Sequence, residues 1–203
     1  MSLPQEKTST GAAIVEPMEA RLVDELPAEP GWQFEPKWDG FRCIAYRSGE
    51  AVDLRAKSGK PLARYFPEIV EAVRRLPGDG FVLDGELAIP VGDTLSFDAL
   101  QMRLHPAESR VRKLSRETPA IYILFDMPRD AGGRSLMEEP LTERRAALEA
   151  LFAGIEDTAR FRLSPYTHEN SEAALWLARA GGALDGVVAK LIDGDYESGE
   201  RAM

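Results

Sequence analysis

An α+β fold, with mainly antiparallel sheets flanked by helices, is what the pattern of this chain predicts. Its strand-like alternation comes as hairpins rather than as strictly interleaved βαβ units. Short helices with one apolar face stand between those strands, punctuated by proline, serine and glycine. The chain has 203 residues, 44% apolar and 29% charged, enough for a sizeable core as one large domain or two small ones.

Residues 1–16 are small and polar and are expected to form a flexible leader, with a domain over 17–203. "FRCIAYRSGEAVDLRA" alternates on both sides of Ser48-Gly49, which predicts a β-hairpin. "PEIVEAVRRLP" places Ile69, Val70, Val73 and Leu76 on one helical face, with Pro67 in the first turn and Pro77 as the stop. "FVLDGELAIP" returns to strand, and "SFDALQMRL" reads as a short helix capped by Ser96. "AIYILFDM" predicts an apolar strand ending in Asp126. "TERRAALEALFAGI" carries a helical stripe of Leu148, Leu151, Phe152 and Ile155. "SEAALWLARAGG" predicts another helix, with Ser171 as N-cap and Gly181-Gly182 beyond its end. "LDGVVAKLI" is the last expected strand.

The net charge of -9 argues against a protein that coats nucleic acid through its overall field. One stretch departs from that balance. "RLHPAESRVRKLSR" sets Arg103, Arg110, Arg112, Lys113 and Arg116 against the single acid Glu108, which suits either a solvated helix face or a grip on phosphates. The lone Cys43 forms no internal disulfide and reads as a buried structural thiol, pointing to a reducing compartment, most simply cytoplasm. The N-terminus has no apolar signal-peptide core, and no apolar run is long enough to span a bilayer.

The glycine-rich phosphate loops of dinucleotide and P-loop proteins are absent. The two histidines, His105 and His168, lack metal-ligand spacing. What recurs is an acid-glycine pair at expected strand ends: Asp39-Gly40, Asp84-Gly85-Glu86 and Asp185-Gly186. Each alone is a plain turn. Beside Lys37 in "EPKWDGFR" they mean more. A lysine amine attacks only when unprotonated, so it needs burial or an adjacent positive charge. A divalent cation held by nearby carboxylates would supply that charge and neutralise the oxygens of a phosphate under attack. Glu86 and Asp185 are hard oxygen ligands suited to magnesium, and Arg42 is placed to donate to a sugar or phosphate oxygen.

Lys37-x-Asp39-Gly40-x-Arg42 resembles motif I of the covalent nucleotidyltransferases, which include ATP-dependent DNA ligases, RNA ligases and capping guanylyltransferases. "LDGE" (83–86) is similar to motif III, "YILFDM" (122–127) to motif IIIa and "DGVVAK" (185–190) to motif IV, in that order. The resemblance covers about residues 16–203. "FEPKWDGFRCIAYR", "YFPEIVEAV" and "LDGVVAK" are most similar to bacterial ATP-dependent DNA ligases of the ligase C and ligase D end-joining type.

The resemblance implies an ATP-grasp-like adenylation domain with the following roles. Lys37 attacks the α-phosphorus of ATP and holds AMP as a phosphoramidate. Glu35 meets the adenine amino group, Phe125 stacks on the base, and Arg42 and Glu86 contact ribose or metal. Lys190 reaches the base edge or the α-phosphate, and Asp185 binds Mg2+ or Mn2+. Asp39 orients the loop. By pattern alone Phe125 is a core aromatic, and Lys190 reads equally as a solvated lysine at a strand end or as a site residue. Two positions depart from the family: Asp185 stands where most ATP-dependent relatives have glutamate, and Lys57 where arginine is common. A paired-lysine motif V would follow Met203, and an OB-fold domain would act in cis. Without them, slow self-adenylation and weak or absent nick sealing are expected. The implied partners are nicked or broken duplex DNA, gripped by Arg103, Arg110, Arg112 and Lys113, and an end-binding repair protein, in a nucleoid-associated cytoplasmic setting with no membrane. Two alternatives stay open: an RNA-ligase or capping activity, and a nucleotide- or DNA-end-binding scaffold without chemistry.

Overall fold

The computed structural model describes Thr8, Thr10, Gly11 and residues 13–180 and 184–201. In chain order its strands are β1 (Trp32–Trp38), β2 (Phe41–Ser48), β3 (Ala51–Ala56), β4 (Gly80–Ala88), β5 (Pro90–Val91), β6 (Thr94–Leu95), β7 (Ile121–Arg129), β8 (Phe161–Leu163) and β9 (Leu184–Leu191). The helices are α1 (Pro67–Arg74), α2 (Phe97–Gln101), α3 (Glu108–Glu117), α4 (Leu141–Ala153) and α5 (Asn170–Ala178), with a 3-10 turn over Ala63–Tyr65.

Five strands form the main sheet in the order β3-β2-β4-β7-β8, antiparallel except for the β7–β8 edge. The predicted hairpin is β2 and β3, turning at Gly49, whose φ of 56° suits a residue without Cβ. Because strand side chains alternate between faces, one face of β2, β4 and β7 is apolar. Cys43, Ala45, Leu83, Leu87, Tyr122 and Leu124 pack there against Ile69 and Val73 of α1 and Leu148 and Leu151 of α4. The alternate positions carry Arg42, Asp84, Glu86 and Phe125 together onto the opposite face. Further along that face Ile44, Tyr46 and Val82 cluster with Val15, Met18 and Tyr196.

A second, two-stranded antiparallel ribbon joins β1 to β9. Its register sets Lys37 opposite Gly186, Glu35 opposite Val188 and Gln33 opposite Lys190. Phe34 ties the ribbon to the chain before α5 by bonds in both directions with Thr167, at 2.8 and 3.0 Å.

Several expectations need correcting in detail. Asp84-Gly85 lies inside β4, not at its end: the register slips there against β7, forming a bulge. Glycine is required at 85 because a Cβ would overlap the Ile123 carbonyl and the Tyr122 ring. Strand β7 runs past Asp126 to Arg129, which pairs with Val82 beyond the bulge. Helix α5 begins at Asn170 with Glu169 as N-cap, so Ser171 sits in the first turn; Thr167 Oγ1 accepts the Glu169 amide at 3.0 Å. Gly181-Gly182 lie outside the described residues. Phe152 in α4 and Ile155, which falls beyond the helix end, are only half-buried, while Arg144 and Arg145 are buried instead. Their guanidinium groups reach inward to Asp126 and to the Ser164 carbonyl.

Most of the expected leader, residues 1–7, 9 and 12, is outside the described residues. Its end is not loose: Val15 is buried, and its amide and carbonyl both bond the Tyr46 hydroxyl at 2.9 Å. Ser96 caps α2 as expected, accepting from the Ala99 amide at 3.2 Å. No helix among the described residues is long and apolar enough to cross a membrane.

Candidate active site

The Asp39-Gly40 turn between β1 and β2 presses against β4, where a Cβ on residue 40 would overlap the Leu87 carbonyl. This close approach brings the end of β1 onto the polar face of the main sheet. Between them opens a cavity of about 1080 Å³. Lys37, Arg42, Glu86, Phe125, Asp185 and Lys190 all line it, and so do Glu35 and Lys57. Residues separated by more than 150 positions in sequence therefore meet in one place.

Lys37 Nζ lies 2.6 Å from Asp185 Oδ2 across the β1–β9 ribbon. The lysine side chain is 49% exposed, so burial does not supply the reactive state that the sequence called for; an adjacent charge is left to do so.

Deeper in, the Lys190 ammonium bonds Glu35 Oε2 at 2.9 Å, and Gln33 Nε2 bonds Glu35 Oε1 at 2.8 Å. Lys190 is thus a buried, paired residue rather than a solvated strand end. Its ammonium also lies 4.9 Å from the centre of the Phe125 ring, whose other neighbour is the Arg42 guanidinium at 4.5 Å. Phe125 is 8% exposed and lines the cavity, so its ring is both buried and part of the cavity wall.

Arg42 grips Asp84 with two bonds, Nε to Oδ1 at 2.6 Å and Nη2 to Oδ2 at 2.7 Å. Burial works against the guanidinium charge, but the Asp84 carboxylate more than offsets it and holds Arg42 protonated. Glu86 stands opposite Arg42 in the β2–β4 register. Burial raises its carboxyl to about 8, a push that Arg42 opposes and Asp84 reinforces. No hydrogen bond or ion pair holds the Glu86 carboxyl among the described residues, and the residue lines the cavity.

Glu86 and Asp185 offer hard carboxylate oxygens, which fit magnesium better than zinc, because magnesium is commonly held by one or two protein carboxylates plus phosphate and water. Among the described residues no group of three or more histidine, cysteine or acidic side chains has metal-holding geometry. Lys57 lines the cavity but is paired with Glu19 at 2.9 Å.

The basic stretch divides. Arg103 is fully buried, bonding both Glu68 oxygens at 2.7 and 2.8 Å and lying 4.9 Å from the centre of Phe66. It belongs to a core ion pair and, unlike the other cations of this stretch, presents no exposed charge. Arg112 and Lys113 are exposed on α3 but paired within the helix to Glu108 and Glu117. Arg110 and Arg116 are exposed with no ion-pair partner among the described residues.

Sequence reading missed Asp84 as a site residue, taking it for part of a turn, although it sits two residues from Glu86 on the same strand face. It also missed Tyr196, whose hydroxyl donates to Asp84 Oδ2 at 2.6 Å. Nothing local in "DYESGER" signals that contact, which spans 112 positions.

A family model described as ATP dependent DNA ligase domain matches residues 15–203. The chain is 44% identical over 190 residues to DNA ligase C2 of Mycolicibacterium smegmatis, covering 93% of this chain and 52% of that protein. It is 41% identical over 192 residues to DNA ligase C of Mycobacterium tuberculosis, covering 93% and 53%. A solved structure of mycobacterial DNA ligase D complexed with ATP and MES superposes with a TM-score of 0.67 at 25% identity, covering 93% of this chain and 57% of that one. The chain spans about half the length of the curated relatives it matches. On the match over residues 15–203, the chain belongs to the ATP-dependent DNA ligase domain family.

Proposed function

We propose that this chain is the adenylation domain of an ATP-dependent DNA ligase and that Lys37 is its nucleophile. The observation that carries the reading is the convergence of Lys37, Asp185, Glu86, Arg42, Phe125 and Lys190 on one cavity large enough for a nucleotide. Adenine lies against Phe125, with Lys190 and Glu35 at the base edge. Arg42 and Glu86 face the ribose side. Lys37 Nζ forms a bond to the α-phosphorus as the bond to pyrophosphate breaks, and the amine gives up a proton to water. AMP then passes to a DNA 5′-phosphate, and a 3′-hydroxyl displaces it to seal the nick.

Lys37 and Asp185 must part for this to happen, since the amine cannot attack while it donates to a carboxylate. Glu86 and Asp185 would hold Mg2+ or Mn2+, which when bound neutralises phosphate oxygens and supplies the positive charge beside Lys37. The partners in this reading are nicked or broken duplex DNA, an OB-fold domain in cis and an end-binding repair protein, in end-joining repair at the bacterial nucleoid.

ATP labelled at the α-phosphate tests it. The label transfers to the chain from ATP and not from GTP, and Lys37→Ala abolishes the transfer. Labelling from GTP would indicate a capping activity. An unchanged DNA-end binding activity in a chain that takes no label would indicate a scaffold.

A further inference from the structure

The segment Glu16–Ala20 runs along the cavity, and Pro17, Met18, Glu19 and Ala20 help to line it. It is held largely by side chains from elsewhere. The Met18 amide donates to the Tyr196 hydroxyl at 3.3 Å, and the Met18 carbonyl accepts from Arg42 Nη2 at 3.3 Å. The same Tyr196 hydroxyl donates to Asp84 Oδ2 at 2.6 Å, the oxygen that also receives Arg42 Nη2. Tyr196, Asp84, Arg42 and Met18 thus close a ring of hydrogen bonds, with Arg42 the only member stacked on Phe125.

Tyr196 itself is fixed. It is 3% exposed, its amide bonds the Met137 carbonyl at 2.8 Å, and the Arg144 guanidinium lies 5.6 Å from the centre of its ring. A rigid hydroxyl between an anion and an amide restrains both. Asp84 accepts three donors, two from Arg42 and one from Tyr196. Removing the third leaves its buried carboxylate held from one side alone, free to rotate with the guanidinium that grips it.

We infer that Tyr196 is a positioning residue for nucleotide binding, its hydroxyl locking Asp84 and Met18 so that the Arg42 guanidinium stays over the Phe125 ring at the cavity wall. Tyr196 is not among the residues lining the cavity, whereas Arg42 is, so it acts through Arg42. The inference rests on the nucleotide reading of the cavity given above.

The test is ATP binding by calorimetry in a Lys37→Ala parent, where chemistry is blocked. Tyr196→Phe keeps the ring packing and removes the hydroxyl, and it weakens ATP binding about five- to tenfold, the worth of one ordinary hydrogen bond. Arg42→Lys keeps the charge but loses the two-point grip on Asp84. In that background the same Tyr196→Phe change costs less than about twofold, because the geometry it protects has gone. Tyr46→Phe, which loosens the segment at Val15 and touches neither Asp84 nor Arg42, is the packing control and leaves ATP affinity within about twofold. Equal weakening by Tyr196→Phe in both backgrounds, or no weakening in the parent, overturns the inference. A parent that binds no ATP at all overturns the nucleotide reading itself, and the inference with it.

Discussion

Lys37 Nζ and Asp185 Oδ2 stand 2.6 Å apart, joined across the β1–β9 ribbon, with side chains 49% and 48% exposed. An ion pair this open is worth little to stability, because water screens it and two mobile side chains must be held still. Its value is in placement: it holds the amine at the cavity and puts the carboxylate beside it.

Asp185→Asn therefore separates the two roles. The melting temperature shifts by an amount corresponding to less than about 1 kcal/mol. The rate of label transfer from ATP falls roughly a hundredfold, as expected when one electrostatic stabiliser is removed from a reacting phosphate. A full labelling rate in Asp185→Asn would show that this carboxylate is a bystander.

Glu86 gives a pH signature. Its carboxyl is raised to about 8 in the folded chain, from an ordinary value near 4.5. Between those values the folded state holds the proton that the unfolded state has released, so stability falls as pH rises through that window and then levels off. In chelator-treated protein, Glu86→Gln is about as stable as the parent at pH 5 and melts at a higher temperature at pH 9. Parallel melting curves across the range would mean that Glu86 ionises normally.

Arg103→Ala costs about 3–5 kcal/mol, since it leaves the Glu68 carboxylate without the partner that neutralises it in the core. Thermal melts show the loss. The variant, where folded, binds DNA as the parent does; a DNA-binding defect at full stability would reverse the assignment of Arg103 to the core.

On α3 the cations without ion-pair partners among the described residues, Arg110 and Arg116, are the ones available to phosphates. Replacing Arg110 and Arg116 together by alanine weakens duplex binding equally on all sequences and flattens the salt dependence by about two phosphate contacts. Replacing Arg112, already paired with Glu108, costs less. Loss confined to some sequences would point to base contacts instead.

Much of this was legible from local pattern. The β2–β3 hairpin, the proline-started α1 and the Ser96 cap follow from period and turn chemistry, which act within a few residues. The residues that meet at the cavity were partly legible because Lys37, Glu86, Phe125 and Asp185 each sit in a short motif. Long-range pairings were not. Arg103 looks like one more surface cation in a basic stretch, and only the meeting with Glu68, 35 positions away, shows it to be core. The β4 bulge moves Asp84 from an expected turn to the centre of a buried network, and Tyr196 joins that network across 112 positions. Exposure of Lys37 was also not legible, because it depends on how two separate sheets meet.

Intact-mass spectrometry of the purified chain after incubation with ATP and magnesium, with peptide mapping of any adduct, tests the central claim most directly. The account predicts a gain of one AMP, mapped to Lys37, lost on addition of pyrophosphate and missing from Lys37→Ala. No gain in mass, or an AMP adduct that persists in Lys37→Ala, would contradict it.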